Sequence, residues 1–124
     1  MSQTSRQDRR LLAKAALRMF DEWRLSDADR LMLLGFGSHD TDVLASMREK
    51  SELADSGELA DRVRALLRIY RYLAMLYPEH PDLRRKWMTS SHPRLGGEAP
   101  LERMKSGGAV SIRFVTTLLE EQLF

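Results

Sequence analysis

The chain has 124 residues, 43% of them hydrophobic, which suits one core or two small helical units. It contains no cysteine, so disulfides, thiolate zinc sites and cysteine nucleophiles are excluded. The formal net charge of +2 is near neutral and does not by itself indicate a nucleic-acid-binding protein. The apolar runs are short, and the amino terminus lacks the apolar stretch of a signal peptide, so we expect a cytoplasmic protein.

The amino-terminal part shows apolar residues at helical spacing and predicts three helices. The first covers about residues 5–23. Ser26 has the position of a cap for a second helix, which ends at Gly35, and a third helix covers about residues 40–50. Residues 1–57 therefore have the proportions of a helix-turn-helix-like portion.

In the rest of the chain, prolines and glycines separate further helical segments. Glycines break the chain at residues 107–108, ahead of the last helix. With no strand pattern anywhere, we expect an all-α fold of seven helices, in which residues 1–57 pack with a carboxyl-terminal helical domain of residues 58–124. The helices predicted in this domain are residues 58–77, 82–88, 100–105 and 109–123.

Candidate catalytic groups are scattered. His39, His80 and His92 are far apart, and no pair has the spacing of a metal site on one helix. No Gly-x-Ser-x-Gly elbow occurs, and the pair Gly96-Gly97 lacks the flanking strand and lysine of a phosphate loop. We therefore expect a protein that is not an enzyme and holds no cofactor and no metal.

The helix-turn-helix proportions raise the question of DNA binding. In a DNA reader the start of the second helix of the motif faces base edges. Here that start also carries Asp40 and Asp42, which repel phosphates, so the residues alone leave open whether this shape contacts DNA. The candidate DNA-contacting residues are Ser38, His39, Thr41, Arg48 and Lys50.

A segment over residues 91–105 combines prolines, glycines and leucines in a specific order. The prolines stiffen it, the adjacent glycines allow its backbone to approach another group closely, and the leucines anchor it to the core. These residues are Pro93, Pro100, Gly96, Gly97, Leu95 and Leu101.

Four motifs lie in and around this segment: Trp87-Met-Thr-Ser-Ser-His-Pro93, Leu95-Gly-Gly97, Ala99-Pro-Leu101 and Met104-Lys-Ser-Gly-Gly108. Together they resemble the toxin-binding domain of the Xre/MbcA/ParS antitoxins. Phe20-x-x-Trp23-x-Leu-Ser26 and Leu33-Leu-Gly35 are similar to the helix-turn-helix portion of the same family. The resemblance covers about residues 15–120, with His92 and Ala99 standing where the family has Asn and Thr.

The resemblance implies a type II antitoxin that binds a toxin encoded nearby. The toxin would be of the RES or ParT kind, which consumes NAD or transfers ADP-ribose from it, and the antitoxin would obstruct its NAD site. The resemblance also implies repression of the antitoxin's own operon, and we expect a homodimer that does not associate with membranes. The implied toxin-binding residues are Arg94, Leu95, Gly96, Gly97, Pro100, Leu101, Arg103, Lys105 and Arg113.

Two features allow several interpretations. The apolar ending Leu123-Phe124 suits a partner anchor, core packing or a dimer contact. The basic stripe of Arg64, Arg68 and Arg71 suits a solvated face, a DNA-backbone contact or a homodimer contact. A transcriptional regulator without a toxin partner and an interaction adaptor are the alternative functions.

Overall fold

A computed structural model describes residues 4–124, and residues 1–3 of the predicted amino-terminal portion lie outside it. Within this described part the chain forms six α-helices and one 3₁₀ turn, and no strand, which confirms the predicted all-α fold. No helix in residues 4–124 is both long and apolar enough to span a membrane. The elements are α1 (Arg6–Glu22), α2 (Asp27–Leu33), α3 (Thr41–Lys50), α4 (Gly57–Leu76), α5 (Pro81–Thr89), the 3₁₀ turn (Pro93–Leu95) and α6 (Pro100–Leu123).

The chain divides into two compact units, the first ending at Leu67 and the second spanning Arg68–Phe124. The boundary falls within α4, so each unit contains part of that helix.

In the first unit, local signals account for the helix starts. The Ser5 hydroxyl accepts a hydrogen bond from the Asp8 amide, and the Ser26 hydroxyl accepts one from the Asp29 amide. Gly35 has a φ of 90°, as the predicted turn requires, and α2 packs against α3. The buried apolar residues include Ala13, Ala16, Met19, Phe20, Trp23, Leu31, Leu33, Leu44 and Met47.

In the second unit, α5, the 3₁₀ turn and α6 each begin with a proline, where the missing amide hydrogen costs nothing. The last two predicted helices form one element, α6, so the chain has six α-helices in its described part and not seven. The predicted break is nevertheless present, because Gly108 is non-helical (φ 65°, ψ −149°). The buried apolar residues include Leu73, Trp87, Met88, Leu95, Leu101, Met104, Ile112, Val115, Leu118 and Leu119.

Candidate partner-binding surface

The segment of residues 92–98, which we term the glycine loop, is closed by its own backbone hydrogen bonds. The His92 carbonyl accepts from the amides of Leu95 and Gly97, each at 3.0 Å. The His92 amide donates to the Glu98 carbonyl at 3.1 Å. The loop therefore has a defined shape that does not depend on a partner.

Gly96 and Gly97 lie at the exposed tip of the glycine loop with φ values of 66° and 86°. A Cβ atom added to either residue would meet nothing within 4 Å. The predicted close approach of another group is therefore not found within the described chain. Glycine is favoured here because of the positive φ, and the bare backbone faces outward.

The predicted toxin-binding residues fall into two groups. Leu95 and Leu101 are 2% and 7% exposed, which confirms their predicted anchoring to the core, and Pro100 is buried too. These three residues support the surface from beneath. The exposed members are Arg94, Gly96, Gly97, Arg103 and Arg113, and Lys105 is half-buried.

Ion pairs join the glycine loop to both ends of α6. Arg94 pairs with Glu121 near the end of α6. Arg103, in the first turns of α6, has a guanidinium nitrogen 3.9 Å from a Glu98 carboxylate oxygen. These exposed pairs are weak enough to be exchanged for contacts with a partner. Arg113, by contrast, is exposed and forms no ion pair with any residue in 4–124.

Two exposed apolar side chains on α6, Val110 and Phe114, were missed by the sequence reasoning. In the sequence they stand among apolar residues that are buried, and the apolar pattern alone does not tell exposed apolar residues from buried ones. Phe124 is 79% exposed while its ring meets the Tyr72 ring edge-to-face at a centroid distance of 5.9 Å.

The predicted DNA-contacting residues lie on or next to α3. His39 and Thr41 are exposed near its start, Ser38 is half-buried, and Lys50 is exposed at its end. Arg48 is already engaged within the unit, because its Nη2 lies 2.8 Å from Asp27 Oδ1. The hydrogen bond from Arg48 lowers the pKa of the Asp27 carboxyl.

In a second cluster of charged residues in the first unit, three arginines surround the carboxylate of Glu52. Glu52 lies 3.0 Å from Arg6, 3.2 Å from Arg10 and 3.5 Å from Arg9. The hydrogen bond from Arg6 is the main cause of the lowered pKa of Glu52. In residues 4–124 no group of three or more histidine or acidic side chains is placed to hold a metal ion.

A pre-shaped loop beside an exposed helix face is typical of an interaction module. Residues 73–121 match the family model of the antitoxin Xre/MbcA/ParS C-terminal toxin-binding domain. The matched segment contains the glycine loop and nearly all of α6, and it confirms the resemblance of the motifs in residues 87–108 to the toxin-binding domain. It supports an antitoxin role for this chain in a toxin–antitoxin system. No curated protein matches the chain.

Proposed function

We propose that the protein is a type II antitoxin that binds and blocks an NAD-consuming toxin of the RES or ADP-ribosyltransferase-like kind encoded nearby. The observation that carries this proposal is the match of residues 73–121 to a toxin-binding domain. In this proposal the protein acts by binding and performs no reaction of its own.

The geometry of the glycine loop supports a blocking role. Its backbone hydrogen bonds and the buried Leu95 hold its shape before any partner arrives, so little conformational entropy is lost on binding. The exposed Gly96 and Gly97 carry no side chain that would keep a partner at a distance. Cations at Arg94, Arg103 and Arg113 suit acidic groups on the toxin.

Co-expression with the toxin encoded by the neighbouring gene tests this proposal. We expect the protein to restore growth and cellular NAD, and to co-purify with the toxin. Gly96→Asp should abolish rescue, because it adds a charged side chain at the loop tip in the left-handed conformation (φ 66°, ψ 25°), which Asp adopts more readily than most residues.

The matched control is Gly57→Asp at the first residue of α4, where an acid is favoured by the helix dipole and a Cβ meets nothing within 4 Å. This control should rescue like the unaltered protein. A toxin that stays lethal and keeps depleting NAD in the presence of the unaltered protein would contradict the proposal.

A second candidate function is operator binding through α2 and α3. Its support is the packing of α2 against α3 across the Gly35 turn, with His39 and Thr41 exposed near the start of α3. We expect salt-sensitive binding to the promoter of the protein's own operon. Gel shifts with the double variant His39→Ala/Thr41→Ala should show loss of promoter preference, and equal binding of the unaltered protein to unrelated DNA would argue against this role. Homodimer formation stays a prediction.

A further inference from the structure

We infer that the toxin binds to one exposed face of the second half of α6. This face is formed by Val110, Arg113 and Phe114, and we term it the α6 face. Its counterpart on the toxin is an apolar depression bordered by a carboxylate. This inference rests on the proposed antitoxin function and names the surface that carries it.

The spacing and burial of these residues define the face. Positions three and four apart lie on the same side of a helix, and Val110 and Phe114 are 76% and 41% exposed beside the exposed Arg113. The opposite side of this part of α6 is buried through Ile112 and Val115. Rotating the helix to hide Val110 and Phe114 would expose these core residues, so the α6 face stays outward.

The backbone before the face fixes its direction. Gly108 adopts φ 65° and ψ −149°, a conformation that is essentially restricted to glycine. A Cβ atom on Gly107 would lie 1.8 Å from Ser111 Oγ and 2.7 Å from Ser111 Cβ, so the chain passes too closely for a side chain. The two glycines thus set where the second half of α6 begins, and Val110 lies within two residues of the break.

The α6 face is continuous with the glycine loop. Glu121 follows Phe114 by seven residues, on the same side of the helix, and pairs with Arg94 of the loop. A partner that covers Phe114 and extends along the same side of α6 therefore meets the Glu121–Arg94 pair and, through Arg94, the glycine loop. The two surfaces together suit a protein partner.

The chemistry of the face favours the toxin over a second copy of this chain. Phenylalanine and arginine are both enriched at protein–protein interfaces relative to the rest of the surface. In a two-fold symmetric contact centred on this face, the Arg113 side chains of both copies would lie in the same small contact, where like charges repel each other. The nearby carboxylate, Glu121, is already paired with Arg94. The face also lies within the segment that matches a toxin-binding domain.

The affinity for the purified toxin of the neighbouring gene, measured by isothermal titration calorimetry, tests this inference. Val110→Ser/Phe114→Ser should raise the Kd by at least about 100-fold, and Arg113→Glu by at least about tenfold. The control Leu11→Ser alters a 59% exposed leucine of α1, in the first unit and outside the matched segment, and should change the Kd by less than about threefold.

The outcomes separate this inference from the proposed function. Failure of the unaltered protein to bind the toxin overturns both. Tight binding that the double variant and Arg113→Glu leave unchanged overturns the α6 face alone. Loss of a dimer in analytical ultracentrifugation, with unchanged toxin affinity, also overturns it, because the face would then join two copies. If the double variant fails to fold, Arg113→Glu decides, since Arg113 is exposed and unpaired within the described chain.

Discussion

The two units of the molecule differ most in how many large apolar side chains they expose. In the first unit, several arginines pair with acids of the same unit, as in the Arg48–Asp27 pair and the cluster on Glu52. Within residues 4–67, Leu11 is the one large hydrophobic side chain that is exposed. The second unit exposes five, and two of them flank the unpaired Arg113. The five are Met75, Leu83, Val110, Phe114 and Phe124.

This contrast shows where a protein partner gains the most. Both units carry surface ion pairs that a partner would have to exchange, but a contact with the second unit also removes more apolar surface from water and gives Arg113 a partner. The unit with more exposed apolar side chains is also the unit that contains the matched toxin-binding segment.

The largest effect should come from Leu95, which ties the glycine loop to the core of the second unit. Leu95→Ala removes a side chain that is 2% exposed, and we expect the free energy of unfolding to fall by about 2–5 kcal/mol. Urea denaturation measures this change. Leu83→Ala, at a 42% exposed position, should cost far less, and equal costs would show that the loop is not anchored.

A smaller effect is expected at the break in α6. Gly108→Ala forces a side chain into a glycine conformation and should lower the free energy of unfolding by about 1–3 kcal/mol. Gly57→Ala, in open space at the start of α4, is the control and should change it by less than about 1 kcal/mol. Thermal melts of the two variants measure the difference. A Gly108→Ala protein that is as stable as the control would contradict the claim that Gly108 sets the direction of the second half of α6.

In the first unit, the exposed Arg48–Asp27 pair should contribute a pH-dependent increment of stability. The pKa of Asp27 is lowered in the folded protein, so this increment is fully present above the ordinary value of 3.8 and is lost as pH falls through the lowered pKa. Asp27→Asn should remove that part of the acid dependence of unfolding. A carboxyl titration of Asp27 by NMR that shows an ordinary pKa would contradict the pair.

The smallest effect concerns Tyr72, whose hydroxyl donates a hydrogen bond to Glu120 at 3.0 Å. This bond is the main cause of the raised pKa of Tyr72, so its contribution to stability is present below the ordinary value of 10.0 and is lost as pH rises through the raised pKa. Glu120→Gln should bring the pKa of Tyr72 back toward that value in an ultraviolet absorbance titration. An unchanged titration curve would show that the bond is not formed in solution.

Local signals in the sequence predict much of the fold. Caps such as Ser26 and first-turn prolines such as Pro81 act through their own neighbours, so their positions translate directly into helix starts. Gly108 likewise marks a break because few other residues adopt its backbone conformation.

Features that depend on distant residues were harder to predict. The pairing of Arg48 with Asp27 joins side chains 21 positions apart. The exposure of Val110 and Phe114 depends on which side of α6 meets the rest of its unit, and an apolar helix pattern does not carry that information. The sequence predicts that Gly96 and Gly97 bring the backbone close to another group. In the structure, glycine is favoured at these two positions because both have a positive φ.

Amide hydrogen exchange of the protein, alone and in complex with the toxin of the neighbouring gene, tests the account most directly. We expect added protection from exchange in residues 93–98 and 109–121, and unchanged protection in residues 27–50. Protection confined to residues 27–50, or none in the second unit, would contradict a toxin-binding surface made of the glycine loop and the α6 face.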